Sequence, residues 1–556
     1  MSRPMCVLRL KRRSPLRRRF WPCPQSHSSA GCSVSAKKSI QSGYGLGESW
    51  GVIDRIGILP CYDAGNMRQL DRLSALAQGL SEDELMVKAG EAAFRALSEK
   101  WPEAATLAVL CGRGNNGGDG WAVARLALEA GLACDVYVTG DPSEITGSAQ
   151  CAHARWAAVS GTAPRPISAL FSTDVVLDQY DVIVDALVGI GMTHRPRPEF
   201  EDWITALTDT QSPIMSLDIP SGLSADGGPS SGAAIRADLT MTFIAPKPVL
   251  LTGPRLDHVG DLIIDPLDTP PSTYREITPV ALALRNEHAG WLPVRSRIAH
   301  KGSFGHVLVI GGDTGMGGAA LLAAAGALRG GAGLVSLATR QCHVTAALSR
   351  YPEVMVRGIE DSSTLQDLLT GKDVIVIGPG LGQDVWGQTC LELALKTSMP
   401  VVCDADAINL MASGVVSVLG AGPRVFTPHP GEAARLAGCT VADIEGDRLG
   451  SAKRLALQTQ STIALKGAGT VVAAPTPDAV PIICCHGNPG MATGGMGDVL
   501  AGLIGALLAQ RLEPIAATAI AVGAHAEAAD MAWQEQGVGL TPSDVVERLG
   551  GVLTQV

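Results

Sequence analysis

Three short apolar runs each end in residues that could do chemistry. Val182-Ile183-Val184 stops at Asp185, Met215-Ser216-Leu217 stops at Asp218, and Thr106 to Cys111 enters Gly112-Arg113-Gly114-Asn115-Asn116-Gly117-Gly118-Asp119-Gly120. A glycine turn between a strand and a helix N-terminus presents backbone N–H groups to an anion, and the helix dipole adds to the attraction. Gly112, Gly114 and Gly117 match the G-x-G-x-x-G spacing of a dinucleotide-binding turn, a weak signal alone. The acidic residue expected at the end of the next strand has only a loose candidate, Asp141. Asn115, Asn116 and Asp119 go beyond that fingerprint. Two amides and a carboxylate on a backbone nest suit a polar ligand, or a hard cation bound through oxygen. One strand-end Asp reads first as a cap or turn former. Three strand-end polar motifs together point to a site outside the carboxyl ends of a parallel sheet.

A second constellation lies near the C-terminus. Gly487-Asn488-Pro489-Gly490-Met491-Ala492-Thr493-Gly494-Gly495-Met496-Gly497-Asp498 opens an apolar stretch, Val499 to Leu508. Amides of Gly495 to Gly497 could hold a transferring phosphoryl group. Asp498 could then take a proton from a substrate hydroxyl, although a helix dipole alone would keep it a weak base. The competing reading is an ordinary Asp in a first helical turn. Ile377-Gly378-Pro379-Gly380-Leu381-Gly382, Thr427-Pro428-His429-Pro430-Gly431-Glu432 and Leu465-Lys466-Gly467-Ala468-Gly469-Thr470 are further loops at strand ends. Lys466 could meet a nucleotide phosphate. No G-x-x-x-x-G-K-[ST] occurs, so this is not a P-loop.

Parallel strands must carry these loops. Thr106–Cys111, Cys134–Val138, Val182–Val184, Ile214–Leu217 and Leu239–Ile244 are apolar without alternation, as strands buried on both faces are. Helical spacing runs through 63–99, 119–130, 147–160 and 199–209. Residues 265–296, with Asp265-Pro266 and Pro270-Pro271, read as a linker or covering segment. A second strand series follows at 306–310, 334–338, 374–377, 401–404, 425–427, 462–466 and 470–474. The expected fold class is α/β, in two units.

Charge divides the chain differently. The net charge is -10, but residues 1–50 hold ten basic residues against Glu48, so the remainder is strongly acidic. An acidic body excludes a general nucleic-acid binder. No uncharged apolar run reaches the ~20 residues that span a bilayer. The 13 cysteines show no CxxC, and Cys484-Cys485-His486 reads as incidental, consistent with a reducing, cytoplasmic setting. Residues 1–55 read as a basic, disordered extension. Their Arg- and Ser-rich composition is also compatible with a transit peptide.

GRGNNGGDG, VDALVGIG and SLDIPSGL together resemble NAD(P)H-hydrate epimerase. HKGSFGHVLVIGG, IGPGLG, TPHPGE, LKGAGT and GNPGMATGGMGDVLAG resemble ADP-dependent NAD(P)H-hydrate dehydratase. Their order matches the bifunctional nicotinamide-nucleotide repair family, over roughly residues 56–550. The resemblance implies a Rossmann-like three-layer sandwich over 56–275 and a ribokinase-like domain over 276–556. It implies that R and S hydrates of NADH and NADPH are interconverted, then the S form is dehydrated at the expense of ADP. Asn115, Asn116, Gly117, Gly118, Asp119, Gly189, Ile190, Gly191, Met192, Thr193, His194 and Arg195 would line the first substrate site. Asp218 would be its proton-transfer carboxylate. Asn116, Asp185 and Ser221 would hold K+. Ala320, Gly380, His429 and Asp498 would meet the hydrated dinucleotide in the second domain. Lys466, Gly467, Ala468, Gly469, Thr470 and Gly497 would hold ADP, with Mg2+. A homo-oligomer is expected. Val188, Ile190 and Val249 depart from the family's usual residues and put pocket shape in doubt. Two rivals keep the folds: a nucleotide-binding regulatory protein, or a small-molecule kinase fused to an oxidoreductase.

Overall fold

The computed structural model describes residues 6–8, 58–171, 177–191, 198–226, 233–284, 292, 295–416 and 422–554. Two sheets organise them. The first has eight strands, in the order Cys6–Leu8, Asp261–Asp265, Leu239–Phe243, Ile214–Leu217, Val182–Ala186, Thr106–Cys111, Ala133–Val138 and Arg165–Pro166. All its pairings are parallel except that of Cys6–Leu8 with Leu262–Ile264. The basic extension was expected to be disordered, yet Cys6–Leu8 forms this edge strand; residues 9–57 lie outside the described part. An apolar Cys-Val-Leu beside an open strand edge gives the ladder a partner.

The second sheet has eleven strands. Met355–Gly358, Leu334–Thr339, His306–Ile310, Val374–Ile377, Val401–Cys403, Arg424–Phe426 and Thr462–Leu465 are parallel neighbours. Val471–Ala473 and Ile482–Cys484 continue it antiparallel, followed by Ala281–Leu284 and Ile58–Cys61. The linker reading of 265–296 therefore missed a strand. Ala281–Leu284 is short and wholly buried, and proline punctuation on its N-terminal side hid it. Ile58–Cys61 precedes the first unit in sequence but pairs antiparallel with Ala281–Leu284 in the second sheet. From Ile58 onward the chain thus starts in the second sheet, builds the first, and returns.

Helices cover both sheets. Ala64–Gln78 and Glu82–Lys100 replace the single helical stretch read at 63–99. Gly79, left-handed at φ 67, ends the first, and a Ser81–Glu84 capping box starts the second. One apolar cluster runs from the first sheet to the second, through Ile219, Leu250, Leu262, Ala283, Leu308 and Ile463. The two units share this core.

Two candidate active sites

In the first unit, the helix Asn115–Glu129 starts with Gly114 as its cap. Asn115 and Asn116 open it, and Asp119 lies one turn on. Together with Gly189, Ile190, Gly191 and Asp218 they line a cavity of about 1230 Å³. Gly117 and Gly118 are buried and serve packing instead. A Cβ on Gly117 would strike the Gly112 carbonyl, and one on Gly118 would meet Met86 at 2.5 Å. Met192, Thr193, His194 and Arg195 lie outside the described residues.

Asp218 sits at φ 65, a backbone region that a non-glycine residue occupies at a cost. Its Oδ2 accepts from the Ile190 amide at 3.1 Å, and its Oδ1 accepts from the Thr242 hydroxyl at 3.3 Å. Lys247 Nζ reaches Oδ1 at 2.5 Å and donates to Thr242 Oγ1 at 2.9 Å. The lysine side chain is only 1% exposed. A buried ammonium needs a partner, and Asp218 is that partner. The sequence reading missed Lys247; its position in Ala245-Pro246-Lys247-Pro248 carried no local signal of a pair 29 residues away.

Two more carboxyls line this cavity. Asp71, from the helix Ala64–Gln78, is pushed up to about 7, first by burial, with the Lys247 charge opposing and the Asp218 charge adding. Burial, then the Asp218 and Asp71 charges, push Asp119 well above the ordinary carboxylate range. The cavity therefore pairs a carboxylate matched to an ammonium with a carboxyl whose burial favours the protonated form.

Asp185 lies at the end of Val182–Ala186, fully buried. Its Oδ2 accepts from Ser216 Oγ at 2.8 Å and the Ser221 amide at 2.9 Å, while Oδ1 accepts from Ser221 Oγ at 2.6 Å. Burial raises its pKa, and these hydrogen bonds oppose the rise. Asn116 is satisfied with Nδ2 donating to the Leu217 carbonyl at 3.1 Å and Oδ1 accepting from the Gly189 amide at 3.2 Å. The donor set is all oxygen, as a hard monovalent cation requires. Ser221 Oγ also lies 3.2 Å from the Val188 carbonyl. Turning its proton there would free both Oγ and Asp185 Oδ1 for a cation, so the residues fit K+.

In the second unit, Met496–Ala509 is an apolar helix capped by Gly495 at φ 97, with Asp498 in its first turn. The weak base expected from the helix dipole is not what the surroundings make. Burial pushes Asp498 up to about 7, the Asp404 charge adds, and Lys466 opposes. Lys466 Nζ donates to Asp404 Oδ1 at 2.6 Å. A Cβ on Gly497 would lie 3.1 Å from that ammonium, so Lys466 stands at the helix N-terminus. Asp404, buried, also accepts from Thr427 Oγ1 at 2.6 Å. Asp404 and Glu432 escaped the sequence reading, because they become site residues only through Lys466.

The other expected residues divide. His429 caps the helix Pro430–Ala437, its Nδ1 accepting from the Gly431 amide at 2.9 Å, and its ring is exposed beside Glu432. Gly380 is left-handed at φ 58, and its carbonyl accepts from the Asp313 amide at 2.6 Å. Ala320 is fully buried under the Gly311–Gly312 turn and presents no surface to a ligand here. The Lys466–Thr470 loop joins Thr462–Leu465 to Val471–Ala473, with Gly467 and Ala468 exposed.

Comparisons with known proteins agree with this division. The family described as YjeF-related protein N-terminus matches residues 82–249, and the family described as NAD(P)H-hydrate dehydratase matches residues 307–550. The chain is 43% identical over 491 residues to the bifunctional NAD(P)H-hydrate repair enzyme Nnr of Coxiella burnetii, covering 88% of this chain and 98% of that protein. It is 42% identical over 488 residues to the enzyme of the same name from Escherichia coli, covering 87% and 92%. Among solved structures, the ADP/ATP-dependent NAD(P)H-hydrate dehydratase of Bacillus subtilis, co-crystallised with ATP and Mg2+, is 33% identical with a TM-score of 0.42. That match covers 46% of this chain and 93% of that one. With such identity sustained along nearly the whole length of its relatives, the chain belongs to the bifunctional NAD(P)H-hydrate repair enzymes.

Proposed function

We propose that the chain returns hydrated NADH and NADPH to the reduced dinucleotides in two steps, one in each site. In the first, the R and S hydrates interconvert. Asp218 takes the proton of the ring hydroxyl as the bond from that carbon to the ring nitrogen breaks and a carbonyl is left; the nitrogen then re-adds to the other face and the oxygen regains its proton. Lys247 orients Asp218, and Asp119, whose burial favours the protonated form, lends the ring nitrogen a proton as the bond breaks and takes it back as it re-forms. Asn115, Asn116 and the Gly189–Gly191 turn position the ring. Asn116, Asp185 and Ser221 would hold K+, which would supply fixed positive charge to the strand-end loops.

In the second, the hydroxyl of the S hydrate attacks the terminal phosphorus of ADP. The bond from that phosphorus to the bridging oxygen breaks, and AMP leaves. Asp498 takes the hydroxyl proton, while Lys466 and the helix N-terminus at Gly497 meet the phosphoryl charge. Phosphate is then a good leaving group, and its elimination with a ring proton restores NAD(P)H. Lys466 to Thr470 hold the adenine nucleotide; Gly380 and His429 face the dinucleotide. Asp404 is a hard oxygen donor suited to Mg2+ carried in on the phosphates, where the ion would neutralise charge.

The observation that carries this reading is Asp498, raised to about 7 and next to a lysine-charged helix N-terminus. It is a base matched to neutral pH beside an anion site. Recovery of reduced-nicotinamide absorbance from hydrated NADPH plus ADP tests it. No recovery with either ADP or ATP defeats it. Among the described residues no helix is long and apolar enough to cross a membrane.

A further inference from the structure

The loop assigned above to the adenine nucleotide is fastened from behind by the other unit. The Gly253 amide donates to the Ala468 carbonyl at 2.8 Å. Thr252 Oγ1 donates to the Gly469 carbonyl at 2.5 Å. That hydroxyl in turn accepts from Arg448 Nε at 2.9 Å. Arg448 Nη2 donates to the Leu465 carbonyl at 3.1 Å and the Lys466 carbonyl at 3.0 Å, and Nη1 is held by Glu445 at 3.0 Å. Both side chains are buried. Four carbonyls of the segment Leu465–Gly469 are therefore held by three residues, two of them from the first unit.

The approach leaves no slack. Gly469 is left-handed at φ 65, and a Cβ there would strike the Leu251 carbonyl and come within 2.5 Å of Thr252 Cα. Its two ends are tied elsewhere, the Lys466 amide donating to the Pro428 carbonyl at 2.8 Å and the Thr470 carbonyl accepting from the Cys484 amide at 2.9 Å, but in its middle Gly467 and Ala468 are exposed and two of the five residues are glycine. Glycines lose the most conformational freedom on being fixed, so an unfastened loop would lose that freedom when nucleotide binds.

From this we propose that Thr252 and Arg448 are positioning residues for the nucleotide loop, so that the epimerase unit completes the ADP site of the dehydratase. The proposal rests on the reading of Lys466–Thr470 as that loop. Thr252 touches neither substrate. It acts by spending its one proton on Gly469 and its lone pair on Arg448, which fixes the loop before ADP arrives.

The test uses the full chain with purified S hydrate. Thr252→Val keeps the volume and removes the hydroxyl. We expect KM for ADP, and the calorimetric Kd for ADP, to rise about fivefold, the equivalent of one lost hydrogen bond. The dehydratase kcat and the epimerase rate on the R hydrate should stay within about twofold. Thr252→Ser, which restores the hydroxyl, should restore ADP affinity. An unchanged KM for ADP overturns the proposal, and so does an equal fall in both activities with a lowered Tm. Lys466→Met separates the underlying reading from the proposal. If Lys466→Met weakens ADP binding and Thr252→Val does not, the fastening idea fails and the loop assignment stands. If Lys466→Met leaves ADP binding untouched, the loop assignment itself fails.

Discussion

Asp498→Asn should disable the dehydratase and stabilise the protein, by an amount that grows from about pH 4 and is full above about pH 7. In the fold Asp498 is pushed up from 3.8 to about 7, by burial and then by Asp404. An unfolded chain restores the ordinary value. Between those two values the folded state holds a proton that the unfolded state has lost, so stability falls as pH rises through the window. Above about 7 the charged Asp498 is a full liability that a neutral amide of the same shape lacks. The shift corresponds to at most about 4 kcal/mol at ~1.4 kcal/mol per pH unit. The side chain is partly open to the site, and solvent screening brings the expected gain to about 1–2 kcal/mol. For a unit of this size that is a rise of roughly 2–8 °C in Tm. Calorimetry at pH 8 and pH 5 reads it, with a gain at pH 8 that shrinks at pH 5. In parallel, kcat on the S hydrate should fall about 10²–10⁴-fold, the usual worth of a general base. The wild-type rate should climb as pH rises through about 7, as Asp498 loses its proton. A Tm gain equal at both pH values, or a loss at pH 8, refutes the argument that burial and Asp404 set the charge on Asp498.

Lys247→Met leaves Asp218 without its ammonium. Epimerisation should drop by at least 10²-fold and the first unit should lose about 2–4 kcal/mol, with S-hydrate dehydration retained; Lys247→Arg, too large for the same pocket, should not rescue. Gly189→Ala places a methyl 2.5 Å from Asp218 Oδ2 and 3.3 Å from Asn116 Cγ; a displaced carboxylate should cost about 10²-fold in epimerase kcat, read with R hydrate as the sole substrate. Ser221→Ala removes two hydrogen bonds from the buried Asp185–Val188 cluster; it should abolish any difference between K+ and Na+ in the epimerase rate, which a wild-type comparison in the two salts measures. Removal of residues 1–61 strips the three-residue edge strand Cys6–Leu8 from the first sheet and Ile58–Cys61 from the second, where it covers the wholly buried Ala281–Leu284; the dehydratase should show the larger fall in Tm when each is followed by its own activity after heating.

Much of this was legible because buried parallel strands are written as unbroken apolar runs. Thr106–Cys111, Ile214–Leu217, His306–Ile310 and Val374–Ile377 are read from the sequence to the residue. The polar residues Asn116, Asp119, Asp185 and Asp218 follow, since a polar residue that breaks an apolar run marks the carboxyl end of a strand or the turn after it. What stayed hidden is whatever depends on a distant partner. Ala281–Leu284 is four residues long and becomes a strand only between Ile482–Cys484 and Ile58–Cys61. Lys247 and Asp404 look like any other charged residue until the fold sets one on Asp218 and the other on Lys466. The glycines show the same limit in reverse. Gly117 and Gly118 sit in the middle of a site motif, but their lack of a side chain lets the turn close on Gly112 and the helix pack on Met86 and Ala149.

The two sites use a lysine–aspartate pair for different ends. In the first, Lys247 rests directly on the carboxylate that would move the proton. A reversible inversion needs that carboxylate in one place for both proton transfers, and the Lys247 ammonium and the Ile190 amide hold its two oxygens. In the second, the lysine is paired with Asp404, and Asp498, the proposed proton acceptor, is raised first by burial and then by that carboxylate as a repulsive neighbour. Withholding the ion pair from Asp498 raises its affinity for a proton, which suits a one-way transfer from an alcohol as the phosphoryl group arrives. The same ammonium still faces Gly497, where the phosphoryl charge would gather. Moving the lysine from the base to its neighbour thus separates a proton shuttle from a phosphotransfer base, with no change in the residue types used.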